Sequence, residues 1–159
     1  MENKMTFGGV GPKMALLTAP YLILALVVMT RDPLFLKLDF MHAGILKTAG
    51  YLLVAAGLLF YLATIRVFLT DFKKGILVTR GTFSLCRNPI YASFLIFIVP
   101  GLALIFQSGM LVTIAVVLYL NFKLSIHGEN IVLRRKFGEE YERYEKQVNE
   151  VIPIPVLKK

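Results

Sequence analysis

Four apolar runs, at about Met14–Met29, Ala43–Leu69, Pro89–Phe106 and Met110–Ile126, constrain this chain more than any other feature. About 20 helical residues at 1.5 Å each cross the ~30 Å hydrocarbon core of a bilayer. Runs of that order with almost no charge therefore read as membrane spans. The first is broken only by Thr18 and Pro20. The second is long enough to tilt or protrude. The third carries Pro100, where a kink is expected. Only "QSG", Gln107 to Gly109, separates the third from the fourth, so these two form a tight antiparallel hairpin. Composition agrees. The chain is 57% hydrophobic and 18% charged, with mean hydropathy +0.68, against roughly 45–50% and 25% in soluble domains.

The expected fold is all-α and integral to the membrane. It has about four transmembrane helices, a helical hairpin from spans three and four, and a C-terminal cytoplasmic amphipathic helix. A single domain covers 1–159, with two N-terminal spans in 1–70 and a core and tail in 71–159. The 159 residues leave no room for a large soluble catalytic domain. Any chemistry falls to the helices and their flanks. Lys4 and Lys13 precede the first run, as in a signal peptide. The run continues past signal length, however, and "TRDPLF" is not a small-residue cleavage site, so a span is expected.

The single Cys86 excludes an intramolecular disulfide and a cysteine-only metal site. His42 and His127 are far apart, so no metal site is expected. The net charge of +8 reads, in so apolar a chain, as cytoplasmic loops and not as nucleic-acid binding. Arg31 and Lys37 in the first loop are balanced by Asp32 and Asp39. The second loop carries Arg66, Lys73, Lys74, Arg80 and Arg87 against Asp71 alone. The positive-inside rule then puts that loop and both termini in the cytoplasm.

In the tail, Leu133, Phe137, Tyr141, Tyr144 and Val148 recur at helical spacing and share one face. Glu139 with Arg143, and Glu142 with Lys146, pair on the other. The pattern predicts an amphipathic helix on the membrane surface, ended by Pro153 and Pro155.

Three polar constellations interrupt the apolar sequence. In "RNP", Asn88 is a good N-cap and Pro89 suits the first helical position, with Arg87 at the headgroups. The amides of such a helix start can also bind a carboxylate or phosphate. In "GILVTRGTF", Gly75 and Gly81 bracket a short β-prone run, which reads as a two-turn surface loop or as a loop folding over a ligand. In "HGEN", Glu129 reads as a solvated helix cap eased by Gly128, or as an acceptor for hydroxyl or amine donors of a ligand. Cys86 reads as a packing residue, although Arg87 beside it could lower its pKa.

The order of these pieces carries more than any one of them. The segments "LVTRGTFSLCRNPIY" and "FGEEYERY", with the hairpin and acidic residue between them, resemble the isoprenylcysteine carboxyl methyltransferase family, which is related to the membrane phospholipid N-methyltransferases. The resemblance covers about Gly75 to Pro155. It implies an S-adenosylmethionine-dependent methyltransferase acting on a lipophilic or small acceptor (carboxylate, thiol or amine) at the cytoplasmic membrane edge. The host membrane would be a prokaryotic cytoplasmic membrane or the endoplasmic reticulum, with membrane lipids around the chain and no obligate protein partner.

Carried over by residue, the resemblance puts Gly75, Ile76, Leu77 and Val78 in a loop that closes over the cofactor, and Phe83 where an aromatic lies against it. Asn88, Pro89, Ile90 and Tyr91 stand in the family's "R-H-P-x-Y" pattern, and Glu129 matches the cofactor-binding carboxylate. Arg87, Tyr91 and Tyr141 are the candidates for shaping the site or orienting substrate. Three positions depart from the family. Asn88 replaces a histidine, and Asn130 replaces a second acidic residue. Ser125 stands where the prenylcysteine enzymes place a substrate-facing arginine, which argues against a carboxylate acceptor. Two other readings remain open. An NADPH-dependent membrane reductase of the sterol type would use Arg134, Arg135 and Lys136 for the extra phosphate. A non-enzymatic membrane protein would have lost the site.

Overall fold

The computed structural model describes residues 11–154 apart from 33, 40, 73 and 74. Lys4, Lys73, Lys74 and Pro155, used above for charge and for the end of the tail, lie outside the described residues. The described chain is helical, with only two isolated bridges, Lys37 to Ser108 and Cys86 to Asn149, and no longer strand. Helices α1 (Gly11–Arg31) and α2 (Ala43–Phe72) match the first two runs. A 3₁₀ turn, Gly81–Ser84, precedes α3 (Pro89–Ile105). Helices α4 (Gly109–Phe137) and α5 (Glu139–Gln147) complete the chain.

Three helices are long and apolar enough to cross a membrane: α1, α2 over Ala43–Asp71, and α4. Helix α3 is a shorter apolar helix. Its irregularity lies one turn before Pro100, as a π-helical stretch over Ser93–Ile98. Proline has no N–H, and its ring crowds the carbonyl four residues back, here Ile96. The wider turn accommodates that carbonyl, and Val99 N–H reaches back to Phe94 O.

Helix α2 packs on α3, α3 turns back into α4, and α4 packs on α1. The α2–α3 approach depends on glycine. A Cβ on Gly50 would fall 2.6 Å from Gly101 O, and one on Gly57 would fall 2.7 Å from Phe97 Cβ. Small residues let helix backbones approach where water supplies no driving force. Helices α1 and α4 are instead joined by side-chain hydrogen bonds. Tyr21 Oη donates to Thr113 Oγ1 at 2.6 Å, and Asn121 Nδ2 donates to Thr18 Oγ1 at 2.9 Å. Large apolar side chains such as Leu16, Leu52, Leu59 and Leu124 point outward, as expected of surfaces that face lipid.

At one end of the bundle the α1–α2 loop is clasped to the hairpin turn. Leu38 N–H donates to Gln107 O at 2.8 Å, and Gly109 N–H donates to Leu36 O at 2.7 Å. At the other end lie the loop before α3, the start of α3, the lower part of α4 and the tail.

Two sequence expectations change here. Helix α4 does not end at the membrane edge but runs through "HGEN" to Phe137, so Gly128 is inside a helix and Glu129 is not a cap. The tail is not one helix with Leu133 and Phe137. Gly138, with φ 52 and ψ −129, takes a positive-φ conformation that only glycine adopts cheaply, and the chain turns there before α5. The apolar face of α5 is used within the protein: Tyr141 and Tyr144 are buried, while Glu139, Glu142, Arg143 and Lys146 are exposed.

Candidate active site

The 3₁₀ turn is fixed on α2. Phe83 is buried and stacks on Phe68 at 6.4 Å, and the hydroxyls of Thr64 and Thr82 are 2.8 Å apart. Arg80 donates twice to the buried Asp71, at 2.6 and 2.7 Å, closing the loop onto the end of α2. Gly75 and Gly81 have φ of 68 and 62, so both turns expected at these glycines form. The run between them has no regular secondary structure. Gly75 and Ile76 are exposed, and Leu77 and Val78 are half-buried.

Asn88 sits at the N-cap of α3 with Pro89 next, but its side chain does not cap the helix. Its Nδ2 donates instead to Glu150 O at 3.0 Å. The neighbouring amides are also taken by the tail: Arg87 N–H donates to Asn149 O at 2.8 Å, and Asn88 N–H to Glu150 O at 3.0 Å. The Arg87 and Asn88 amides, just ahead of the helix, therefore hold protein carbonyls. A histidine at position 88 could donate to the same carbonyl through a ring N–H. The Asn88→His variant is accordingly expected to fold and to melt like the parent in detergent. Loss of fold would mean that the asparagine amide itself is required.

Arg87 does not reach toward headgroups. Its Nη1 donates to Tyr141 Oη at 3.2 Å and to Glu145 Oε1 at 2.6 Å. Arg134 takes the other oxygen of Glu145, with Nε at 3.0 Å and Nη2 at 2.6 Å. Burial alone would raise the Glu145 carboxyl, but the hydrogen bonds from Arg134 and Arg87 outweigh it and hold it below its ordinary value. Tyr141 Oη donates in turn to Asn130 Oδ1 at 2.8 Å. Burial raises the Tyr141 phenol, with Arg87 opposing and the Glu145 and Glu129 charges adding to the rise. Tyr141 is thus a neutral, doubly hydrogen-bonded group at neutral pH. Tyr144 Oη donates to Phe83 O at 2.7 Å, tying the tail to the 3₁₀ turn.

Cys86 is fully buried, and its thiol is pushed up to about 12, chiefly by burial. Arg87 does not activate it, and the packing reading holds. It shares a core with Met14, Ala92, Phe122, Ile126 and Val151, against which Tyr91 is packed. Tyr91 lies 5.2 Å from the Phe122 ring. Pro89 is buried and Ile90 half-buried in the same region.

Helix α4 presents Ser125, Glu129 and Asn130 toward this end. Ser125 is only 4% exposed. Its Oγ and Arg87 Nε are buried and have no hydrogen-bond partner among the described residues. Glu129 is half-buried, with Oε2 inside the protein. Ser125 Oγ and Arg87 Nε are each a donor that an oxygen acceptor from a ligand would satisfy, since buried polar groups left unmatched are costly. No group of three or more metal-ligating side chains occurs among the described residues.

A model of the phospholipid methyltransferase family matches residues 40–140. The chain belongs to that family. A protein described as a probable protein-S-isoprenylcysteine O-methyltransferase, from Oryza sativa subsp. indica, is 35% identical over 90 residues, which cover 57% of this chain and 46% of the relative. Its counterpart from Oryza sativa subsp. japonica gives the same figures. The resemblance read from the motifs is borne out by both comparisons. The chain spans about half the length of the curated relatives it matches. No solved structure matches it.

The structure therefore gathers Phe83, Arg87 to Tyr91, Ser125, Glu129 and Tyr141 at one end, with Gly75 and Ile76 exposed in the loop before the 3₁₀ turn. Sequence reading missed Glu145, Glu150 and Lys123. Glu145 lies four residues after Tyr141, at the edge of the tail's apolar stripe, and Glu150 lies beyond the last helical turn, so neither stands out in a count of apolar positions. Arg134, a candidate for a reductase phosphate site, is taken up by Glu145.

Proposed function

We propose that this chain is an integral membrane methyltransferase that uses S-adenosylmethionine and a lipophilic or small acceptor: a carboxylate, a thiol or an amine. The observation that carries this reading is the pair of buried donors, Arg87 Nε and Ser125 Oγ, with the half-buried Glu129 on the same helix as Ser125, at one end of an otherwise apolar bundle. Family membership supports it. Their chemistry fits a ligand bearing both a carboxylate and hydrogen-bond donors. Arg87 and Ser125 would hold the acceptor oxygens, and Glu129 the hydroxyl or amine donors. Phe83 and the loop over 75–78 would cover the ligand from the α2 side.

S-adenosylmethionine supplies an electrophilic methyl group. The task left to the protein is to align the acceptor and exclude water. Tyr91 and Tyr141 shape the site, and the Glu145 clamp keeps Arg87 in one orientation. The relatives' description names protein-S-isoprenylcysteine, and a lipidated acceptor suits the apolar surroundings here. Ser125 in place of an arginine argues for a neutral or amine acceptor over a carboxylate.

For topology we take α3, despite its shorter length, as a fourth crossing, with the site and both termini on the cytoplasmic side. The charge of the loop before α3 supports this. Cysteines introduced at Lys4 and Lys158 should label from the same face, and labelling from opposite faces would refute it. For the cofactor, calorimetry in detergent should show binding of S-adenosylmethionine or its demethylated product. Binding of NADPH in their place would move the chain to the reductases.

A further inference from the structure

We propose that Glu150 is a positioning residue: it locks the C-terminal strap, residues 148–154, across the start of α3, and so fixes Arg87 and Asn88 against the polar face of α4. The proposal rests on reading that end of the bundle as the methyl-transfer site. It does not follow from the family, whose match ends at residue 140.

Glu150 joins three elements. Its carbonyl accepts both the backbone N–H and the side-chain Nδ2 of Asn88, each at 3.0 Å. Its carboxylate accepts Lys123 Nζ from α4 at 2.6 Å. Beside it, Asn149 O holds the Arg87 amide, and Val151 is buried in the core that contains Cys86. Arg87 is thus gripped twice by the tail, through its backbone at the strap and through its guanidinium at Glu145.

The partner's place on α4 gives the ion pair its weight. Lys123 lies about 21 Å along the helix from Gly109, less than the roughly 30 Å of a hydrocarbon core. Leu120 and Leu124 on either side point outward. A lysine there must reach the interface or find a carboxylate. Its side chain is 48% exposed and that of Glu150 is 21% exposed, so the pair sits at the boundary and is not fully in water. Two residues further along α4 is Ser125, whose buried hydroxyl faces the candidate site. Pairing Lys123 with Glu150 therefore sets the distance between the strap, with the residues it holds, and that hydroxyl.

Cys86 is the sole cysteine, fully buried and bridged to Asn149 in the strap, so its labelling by N-ethylmaleimide reports strap opening without reference to activity. The test uses the full chain in detergent with Glu150→Gln, Lys123→Met, and the exchange of Lys123→Glu with Glu150→Lys. Each single change should raise the Cys86 labelling rate and weaken S-adenosylmethionine binding by about 5-fold, a charge-assisted bond discounted for its partial exposure. The exchange should bring both back toward the parent. Glu150→Gln keeps the carbonyl and the side-chain shape, so it carries the test if Lys123→Met does not purify. Parental labelling and affinity in the single variants would overturn the proposal, as would a lowered melting point with no change in either readout, or failure of the exchange to restore them. If the parent itself binds no S-adenosylmethionine, the proposed function fails, and the labelling rates alone still decide whether the strap is locked through Glu150.

Discussion

Gly101→Val is expected to destabilise the bundle severely. A Cβ at this position would lie 2.8 Å from Val54 Cγ2 and 2.9 Å from Gly50 O. The valine methyls would come closer still. Neither contact is relieved by turning a flexible side-chain end, because Gly50 O belongs to the α2 backbone and Val54 is branched at Cβ. The two helices would have to separate, and the stacking of α2 on α3 also supports the 3₁₀ turn that carries Phe83. Overpacking typically costs about 1–3 kcal/mol. A clash with backbone belongs at or beyond the top of that range, a large fraction of the 5–15 kcal/mol that typically separates folded from unfolded. Size-exclusion yield and thermal melting in detergent measure it. Gly128→Ala is the contrasting control. It lies inside α4 with nothing within 4 Å of its added Cβ, so it should raise stability by roughly 0.5–1 kcal/mol. A Gly101→Val variant that melts like the parent would mean that α2 and α3 do not approach as described.

Glu129→Gln is expected to weaken S-adenosylmethionine binding by about 10-fold, and Glu129→Ala by up to about 100-fold, the range of a hydrogen bond to a charged group. Helicity and yield should not change, because Glu129 lies within α4 and caps nothing. Gln keeps the size and one acceptor but loses the charge. Ala loses both and leaves the donors it served unmatched. The burial of Oε2 and the influence of its charge on Tyr141 put the carboxylate at the inner side of the tail and not in open water. Calorimetry on the two variants checks the order. Parental affinity in both would remove Glu129 from the site and displace the site itself.

The helices were legible because hydropathy is a long-range average over many residues. The runs expected at Ala43–Leu69 and Pro89–Phe106 became Ala43–Phe72 and Pro89–Ile105. The hairpin turn was legible for the same reason, since three residues between two apolar runs leave no other path. What failed was local. Asn88 before Pro89 has every sequence mark of a cap, yet the strap offered its amide a better acceptor in Glu150 O. The tail's periodicity passed through Gly138 without notice, because a glycine with φ 52 leaves no trace in a count of apolar residues. Gly50 and Gly101, 51 positions apart, meet only once the helices cross. The pairs Arg87–Glu145 and Lys123–Glu150 are likewise long-range facts. Arg87 was expected at the headgroups and the other three residues were not singled out, yet these pairs are the ties that fix the tail against α3 and α4.

The most direct test of the central claim is methyl transfer itself. Purified protein is incubated with methyl-labelled S-adenosylmethionine and a membrane extract, and the products are followed by mass spectrometry. The account predicts label in a lipid-extractable or small-molecule product, dependent on the protein and sharply reduced by Glu129→Ala. No transfer and no affinity for S-adenosylmethionine, alongside consumption of NADPH, would contradict it.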